Sequence, residues 1–293
     1  MHKSGFVNIV GSPNVGKSTL MNKLVGEKLS IITSKQQTTR HRIMGIVNGD
    51  DHQIVFSDTP GVLNPHYKLH ESMMRFVSSA LQDADIILFV TDIFETEMNH
   101  KETLERIKTH SAPVLVLMNK IDLAKDPSDL EKKVNYWKEQ IPRAEILPIS
   151  ALHGLSIDFI MPRLIELLPE GEPFFPKDEL TDKPMRFFIS EIVREKILQN
   201  YSKEIPYSCE VVVESYKDKE NIVDIRVLIY VNRDSQKAIL IGHKGVALKR
   251  VGVGARQSLE KFFGKQIHLE LYVKVNKNWR NNSNQLKRFG YHS

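Results

Sequence analysis

Residues 11–19 read Gly11-Ser12-Pro13-Asn14-Val15-Gly16-Lys17-Ser18-Thr19, a complete G-x-x-x-x-G-K-[ST] phosphate-binding loop. The preceding residues 5–10, GFVNIV, predict a buried strand, and residues 18–24 predict the start of a helix. The two glycines allow the backbone to curl so that its N–H groups point at a triphosphate. Lys17 supplies a positive charge for the β and γ phosphates, and the Ser18 hydroxyl can ligate Mg²⁺. The loop and its flanks therefore predict a nucleotide site in an α/β domain.

Asp58-Thr59-Pro60-Gly61 forms a second motif, directly after residues 52–57, whose HQIVFS pattern predicts a strand. A carboxylate at a strand end can hold Mg²⁺ through water, and a neighbouring glycine can donate its N–H to a γ-phosphate. Taken alone, D-x-P-G is also ordinary turn chemistry, so this motif gains its meaning from the others.

Asn119-Lys120-Ile121-Asp122 follows a buried apolar run at residues 114–118. The Asp122 carboxylate can accept hydrogen bonds from the ring N–H and the exocyclic amine of guanine, whereas adenine lacks that pair of donors. A site of this kind can discriminate by ~10⁴-fold or more. Ser150-Ala151 follows a predicted strand at residues 145–149 and can present a backbone N–H to the guanine carbonyl oxygen. The four elements in this order, each after a strand, predict a guanine-nucleotide site.

Residues 1–170 resemble a translation-factor-type P-loop GTPase, and Gln37-Thr38-Thr39-Arg40-His41-Arg42 resembles the Era family of bacterial ribosome-assembly GTPases. The resemblance implies that residues 30–42 are the first switch and that Thr39 senses Mg²⁺ and the γ-phosphate. It also implies a second switch that begins at Asp58 and runs into a helix from about Lys68. From the residues alone, the Thr-rich basic segment is a candidate mobile loop, and an ordinary solvated loop is the alternative.

Val62 follows Gly61 at the position where many GTPases place a glutamine that orients the attacking water. A valine side chain has no polar group for this task, so we expect slow intrinsic hydrolysis that depends on Lys17, Thr39, Gly61 and Mg²⁺. The resemblance further implies a potassium ion on Asn14, as in relatives that share the Pro-Asn-x-Gly-Lys form of the loop. The predicted GTP-binding residues are Gly11, Ser12, Pro13, Asn14, Val15, Gly16, Lys17, Ser18, Thr19, Asp58, Thr59, Pro60, Gly61, Val62, Asn119, Lys120, Asp122, Ser150 and Ala151. The predicted Mg²⁺ ligands among the site residues are Ser18, Thr39 and Asp58.

The positive charge of the chain is concentrated at its C-terminal end. The 293 residues carry a net charge of +5, from 41 Lys+Arg and 36 Asp+Glu. Residues 1–180 hold 20 basic and 24 acidic side chains, a net −4, and residues 181–293 hold the remaining 21 and 12, a net +9. Such a basic region suits nucleic acid, although a solubility role and a membrane-surface patch are alternatives.

Gly242-His243-Lys244-Gly245 follows an apolar run, and Val246-Ala247-Leu248-Lys249-Arg250 opens a basic amphipathic helix. The glycines let a sugar–phosphate backbone approach the main chain, while the helix N-terminus and its basic residues face the phosphates. Predicted strands at 206–216, 222–231 and 266–275 give the element order of a type II KH domain, a module that clamps about four nucleotides. The predicted RNA-binding residues are Gly242, His243, Lys244, Gly245, Val246, Lys249 and Arg250. Residues 189–199 and Gly290-Tyr291 again resemble Era, so the resemblance covers nearly the whole chain.

The predicted fold class is α/β: a P-loop GTPase domain with a mostly parallel six-stranded sheet, followed by an α+β type II KH domain. The proline-punctuated residues 171–184 predict a linker between a GTPase domain at 1–170 and a KH domain with a C-terminal extension at 185–293. Cys209 is the only cysteine, so no intramolecular disulfide can form. Trp279, Phe289 and Tyr291 have two interpretations: they stack on bases, or they anchor the C-terminal segment to the KH sheet.

The motifs and the resemblance together predict a GTP-binding and GTP-hydrolysing switch protein. The resemblance implies that it binds the 3′ end of 16S rRNA and assists maturation of the 30S ribosomal subunit. The expected cofactors are Mg²⁺ and K⁺, and the protein is expected to be a cytoplasmic monomer that can also associate peripherally with the inner face of the cell membrane. No apolar run approaches the ~20 residues needed to span a bilayer, and no secretory signal is visible. Two alternatives stay open: a constitutive RNA-binding protein with a structural nucleotide, and a membrane-surface GTPase.

Overall fold

The computed structural model describes residues 1–98 and 100–291. The chain divides into two compact units, each with its own core. One unit comprises Met1–His66 and His70–Asp182, and the other comprises Tyr67–Leu69 and Lys183–Ser293. Among the described residues, no helix is long and apolar enough to cross a membrane.

The first unit contains a six-stranded sheet in the order β2-β3-β1-β4-β5-β6. Its strands are β1 (Lys3–Gly11), β2 (Ile43–Asn48), β3 (His52–Asp58), β4 (Ile86–Asp92), β5 (Val114–Asn119) and β6 (Glu145–Pro148). Its helices are α1 (Lys17–Val25), α2 (Lys68–Gln82), α3 (Lys101–Thr109), α4 (Pro127–Gln140) and α5 (Ile160–Leu167). Only the β2–β3 pair is antiparallel, because a short turn joins these strands directly. The predicted six-stranded, mostly parallel sheet is therefore confirmed.

The central strands are apolar on both faces because helices connect them across the sheet. Every residue of β4 and β5 is buried. Their carboxyl ends, together with those of β1 and β3, lie at one edge of the sheet, where ligands bind in open α/β folds. Each predicted nucleotide motif follows a strand, and the fold thus brings all four motifs to that edge.

Residues 171–182 run along β2, the edge strand of the sheet. The Ile46 N–H donates to the Leu180 carbonyl oxygen at 2.8 Å, and Gly45 forms an isolated antiparallel bridge with Thr181. Further along, Gln53 Nε2 donates to the Phe175 carbonyl oxygen at 2.8 Å. Because an exposed edge strand presents unpaired backbone groups, this segment satisfies part of that edge.

The second unit contains a three-stranded sheet in the order β7-β8-β9, with the first pair antiparallel and the second parallel. Its strands are β7 (Glu210–Asp218), β8 (Ile222–Val231) and β9 (Gln266–Val275). Its helices are α6 (Met185–Asn200), α7 (Ile205–Ser208), α8 (Asp234–Ile241), α9 (Val246–Phe263) and α10 (Ser283–Arg288). The order helix, strand, strand, helix, G-x-x-G, helix, strand confirms the predicted type II KH fold.

Two element boundaries differ from the sequence predictions. The predicted strand at 206–216 begins with the short helix α7, because Pro206 lies in its first turn, where the missing N–H costs nothing. The predicted helix at 155–168 is shorter, since a 3₁₀ turn at Ile157–Phe159 precedes α5.

The C-terminal aromatic residues anchor the chain to the KH unit. Trp279 and Tyr291 are buried, and Trp279 Nε1 donates to the Ser208 carbonyl oxygen at 3.2 Å. The Tyr291 hydroxyl donates to the Glu210 carboxylate at 3.0 Å. Phe289 packs against Trp279 with a centroid distance of 5.6 Å. Of the two interpretations of these aromatic residues, the structure favours anchoring.

Candidate functional site

A cleft of about 510 Å³ lies at the carboxyl edge of the first unit's sheet. Most of the residues that the sequence predicts to bind the nucleotide line this cleft. The predicted residues that line it are Pro13, Asn14, Gly16, Lys17, Ser18, Thr19, Thr39, Gly61, Asn119, Lys120, Asp122 and Ser150. The remaining predicted residues, among them Val15, Asp58 and Ala151, are mostly buried around this lining. All four motifs and the first-switch segment therefore meet at one place.

Gly16 and Gly61 allow the phosphate-binding loop to approach the loops after β5 and β3 closely. Gly16 has a φ of 102°, and a Cβ at this position would lie 2.1 Å from Asn119 Nδ2. A Cβ on Gly61 would lie 2.7 Å from the Pro13 Cα. Both distances are far below van der Waals contact, so a larger residue at either position would displace the neighbouring loop.

Lys17 is buried within the loop it belongs to. Its ammonium group donates to the Gly11 carbonyl oxygen at 3.0 Å and to the Ser12 carbonyl oxygen at 2.7 Å. Burial lowers its pKa to about 8, against the opposing effects of the Asp58 and Glu95 carboxylates. A phosphate group that approaches this ammonium offers the anionic partner that it lacks within its own loop.

Ser18, Thr39 and Asp58 form a cluster of hard oxygen donors. The Ser18 hydroxyl donates to Asp58 Oδ2 at 2.6 Å and lies 2.8 Å from the Thr39 hydroxyl. Among the described residues, Asp58 Oδ1 is buried without a hydrogen bond of good geometry. Burial raises the pKa of Asp58, although hydrogen bonds and the Lys17 charge oppose this. These side chains fit Mg²⁺, which prefers oxygen ligands and would compensate the buried carboxylate.

Asn119 joins three of the four motifs. Its Nδ2 donates to the Val15 carbonyl oxygen at 2.8 Å, and its Oδ1 accepts the Ala151 N–H at 2.9 Å. Oδ1 also accepts the Lys120 N–H at 2.8 Å. The Asp122 carboxylate lies at the cleft with 17% of its side chain exposed, 3.6 Å from His153 Nε2. The residues predicted to recognise the base are thus held to the phosphate-binding loop through the Asn119 amide.

The first-switch segment contacts the phosphate-binding loop through Asn14. Asn14 Nδ2 donates to the Ser34 carbonyl oxygen at 3.1 Å. Thr39 is buried, with its hydroxyl 3.4 Å from the Asp58 carboxylate. In this arrangement a main-chain carbonyl lies beside the Asn14 amide, and both kinds of oxygen are suitable ligands for a hard cation.

Val62 lies with its side chain in the apolar core rather than in the cleft. Its N–H donates to the Gly11 carbonyl oxygen at 3.1 Å, which ties the segment predicted as the second switch to the phosphate-binding loop. The structure places Val62 where it can support the loops through its main chain.

The sequence predictions missed a polar turn after β4. Asp92 Oδ1 accepts the N–H groups of Phe94 and Glu95 at 2.9 and 3.0 Å. Asp92 Oδ2 accepts a hydrogen bond from Lys120 Nζ at 2.6 Å, and the Glu95 carboxylate accepts one from the Ser12 hydroxyl. No motif marks this turn in the sequence, but its position at the carboxyl end of a central strand is a usable signal.

The G-x-x-G loop of the second unit has the backbone that the pattern predicts. Gly245 has a φ of 78°, and Lys244 also adopts a positive φ, of 49°. An open groove beside the loop is lined by Gly245, Leu248, Lys249, Gly252, Val253, Arg256, Leu269 and Leu271. The predicted Lys249 therefore lines the groove, and Arg256 lines it as well. Arg250 instead lines a separate hollow between α6 and α9, with Lys196 and Lys261.

The fold and the two sites define a P-loop GTPase joined to a type II KH module. A family model described as a 50S ribosome-binding GTPase matches residues 6–120, and a KH domain model matches residues 204–280. The GTPase Era of Staphylococcus epidermidis is 43% identical over 292 residues, which cover 99% of this chain and 97% of that protein. The chain belongs to the Era family of GTPases.

Two solved structures are similar over their whole length. One is Era in complex with MgGDPNP and nucleotides 1506–1542 of 16S ribosomal RNA, with 40% identity, a TM-score of 0.94 and complete coverage of both chains. The other is a single-residue variant of Aquifex aeolicus Era bound to GDP·AlF4⁻, with 41% identity, a TM-score of 0.94 and coverage of 99% of this chain and 100% of that one.

Proposed function

We propose that this protein binds and hydrolyses GTP, binds the 3′ end of 16S rRNA, and assists maturation of the 30S subunit. The observation that carries the proposal is the convergence of four guanine-nucleotide motifs on one cleft, in a chain that also contains a G-x-x-G groove. The relatives that match the whole chain include one in complex with MgGDPNP and 16S rRNA. The same proposal places residues 1–170 in the GTPase domain, 171–184 in a linker and 185–293 in the RNA-binding domain.

Guanine selectivity in this proposal rests on Asp122 and Ala151. The Asp122 carboxylate accepts the two N–H donors on the edge of guanine. The Ala151 N–H donates to Asn119 Oδ1 at 2.9 Å, and a guanine carbonyl oxygen would share this donor with Asn119. An adenine base would leave the carboxylate without its donors, and the charge would then be covered by the base without a partner.

Hydrolysis in this proposal depends on positioning and charge. Ser18, Thr39 and Asp58 would hold Mg²⁺, which when bound neutralises charge on the β and γ phosphates. Lys17 leaves the carbonyl oxygens of its own loop and binds the phosphates, while the Gly61 N–H donates to the γ-phosphate. Since the Val62 side chain is in the core, no side chain at that position orients water, and we expect a slow intrinsic rate.

A potassium ion beside Asn14 is the second cation of the proposal. The Asn14 Nδ2 group donates to the Ser34 carbonyl oxygen at 3.1 Å. A cation would replace this hydrogen bond and take the Asn14 amide oxygen and the Ser34 carbonyl oxygen as ligands. A cation there would add positive charge near the phosphates. The phosphate-binding loop of this chain has no arginine that could supply such a charge.

RNA binding in the proposal uses the groove beside Gly245. Lys249 and Arg256 line the groove, and Lys244 lies in the G-x-x-G loop itself. These positively charged side chains would contact the phosphates of an RNA strand that passes the glycines. Leu248, Leu269 and Leu271 supply an apolar floor on which unstacked bases can pack. We propose that the protein binds RNA in the cytoplasm and that it acts as a monomer.

The nucleotide is proposed to control RNA affinity through the two switch segments. Its test is the affinity of a fluorescent RNA oligonucleotide, matching a small-subunit rRNA 3′ end, for the nucleotide-free, GDP-bound and GTP-analogue-bound protein. We expect the GTP-analogue form to bind most tightly. Equal affinity in all three states would contradict the switch and leave a constitutive RNA-binding protein.

A further inference from the structure

Glu95 is a half-buried acidic residue next to the phosphate-binding loop, outside all four nucleotide motifs. Its Oε1 accepts a hydrogen bond from the Ser12 hydroxyl, and its Oε2 accepts one from the Thr91 hydroxyl at 2.7 Å. Its backbone is fixed as well, because Lys133 Nζ donates to the Glu95 carbonyl oxygen at 2.7 Å. The carboxylate is therefore held in place rather than free to turn into solvent.

The Glu95 carboxylate faces the phosphate-binding loop through its contact with the Ser12 hydroxyl. The neighbouring Asp92 is already compensated by Lys120 Nζ at 2.6 Å. Glu95 and Lys17 interact electrostatically, each shifting the pKa of the other, while burial raises the pKa of Glu95. Lys17 itself makes its hydrogen bonds to main-chain carbonyl oxygens. Ser12 contacts both charges, because its hydroxyl donates to Glu95 and its carbonyl oxygen accepts from Lys17 Nζ at 2.7 Å. A phosphate bound by Lys17 would therefore come close to the Glu95 carboxylate.

On the basis of the proposed function, we infer that Glu95 is a positioning residue that weakens the hold of the site on nucleotide phosphates. Its hydrogen bond to Ser12 fixes the first half of the loop, and its negative charge repels the phosphate groups. Such repulsion is poorly screened in a partly buried site. The consequence is faster release of GDP from a chain whose Lys17 would otherwise hold the product strongly.

The test compares the affinities of guanosine, GMP, GDP and GTP for the wild-type protein and for Glu95→Gln, at pH 7.0 with saturating Mg²⁺. Glutamine keeps the size of the side chain and removes its charge. It can accept a hydrogen bond from one of the two hydroxyls and donate one to the other, because a hydroxyl can act in either role. We expect GDP and GTP to bind about tenfold more tightly to the variant. Guanosine should bind with unchanged affinity, with GMP intermediate, because electrostatic repulsion grows with the number of phosphate charges. Dissociation of labelled GDP should slow by a similar factor.

Glu97→Gln is the matched control, since it removes the same charge from an exposed position two residues along the same segment. It should leave all four affinities unchanged. Glu95→Ala removes both the charge and the hydrogen bonds, and tighter GDP binding by this variant also supports the inference. Unchanged or weaker binding of GDP by both Glu95 variants would overturn it. Failure of the wild-type protein to bind GDP would contradict the proposed function. If the wild type binds GDP and the Glu95 variants have the same four affinities as the wild type, only the role of Glu95 is contradicted.

Discussion

Asn119 Nδ2 donates a hydrogen bond to the Val15 carbonyl oxygen at 2.8 Å, across 104 residues of sequence. The same side chain accepts the N–H of Ala151 through Oδ1. One amide thus sets the spacing between the loop predicted to receive phosphates and the loops predicted to receive the base. Because a nucleotide has a fixed length, this spacing is a condition for binding its two ends at once.

Asn119→Ala should therefore weaken both the fold and the site. It leaves the Val15 carbonyl oxygen and the Ala151 N–H without this partner in a buried region, at a cost of about 1–3 kcal/mol for each unsatisfied group. We expect a lower free energy of unfolding in urea and weaker GDP binding. Asn135→Ala, at an exposed position on α4, is the control and should change stability by less than about 0.5 kcal/mol. An equal effect of the two substitutions would contradict the role of Asn119.

Asp122→Asn should change the base that the site accepts. Asparagine cannot accept two hydrogen bonds from guanine without facing its own amide donor toward one of them. We expect GDP affinity to fall by about 10²-fold or more. Xanthosine diphosphate has a carbonyl in place of the amine, so it should bind the variant better than the wild type. Equal GDP binding by both proteins, measured by competition with a fluorescent nucleotide, would exclude this carboxylate from base recognition.

Lys17 should take up protons when nucleotide binds near pH 8. Its pKa is lowered from 10.5 to about 8 in the free protein, so near pH 8 a large fraction of it is neutral. Phosphates favour the charged form and raise the pKa, and binding therefore takes up about half a proton at pH 8 and little at pH 6.5. Calorimetry of GDP binding in two buffers with different ionisation enthalpies measures this uptake. No uptake at pH 8, or proton release, would contradict the assignment.

Lys17→Arg provides the control for that experiment. A guanidinium stays charged throughout this pH range, so any binding that the variant retains should show no uptake from this position.

Gly245→Asp should remove RNA binding while the fold persists. A Cβ at Gly245 meets nothing within 4 Å, and its φ of 78° is one that Asp tolerates at a modest cost, roughly 1 kcal/mol. The new carboxylate would lie where the RNA backbone approaches, and we expect at least about tenfold weaker binding. Gly264→Asp is the matched control, because Gly264 also has a positive φ and no atom within 4 Å of its Cβ position, but lies at the other end of α9. Equal loss by both variants would locate the RNA elsewhere.

The nucleotide motifs were predictable because each combines a short residue pattern with a strand directly before it. The loops at 11–19, 58–61, 119–122 and 150–151 then meet by the topology of a parallel sheet. Glu95 and the Asp92–Lys120 pair were not predictable, since they depend on how the turn after β4 packs against loops distant in sequence. No local pattern sets that packing.

The segment at 171–182 shows a similar limit in the fold. Its prolines and charges are typical of a linker, yet it lies along an edge strand whose backbone groups require partners. Pro206, by contrast, is typical of the first turn of a helix and could have indicated the start of α7. The alternating apolar residues after it favoured a strand instead.

In the proposed function, one chain couples GTP hydrolysis to RNA binding. The most direct test of this coupling is the GTP hydrolysis rate in potassium and in sodium, each with and without an oligonucleotide matching a small-subunit rRNA 3′ end. We expect a slow rate that the RNA raises at least about tenfold, equivalent to ~1.4 kcal/mol of barrier, and more in potassium than in sodium. A rate that is negligible and unchanged in all four conditions would contradict the coupling and reduce the nucleotide site to a binding module.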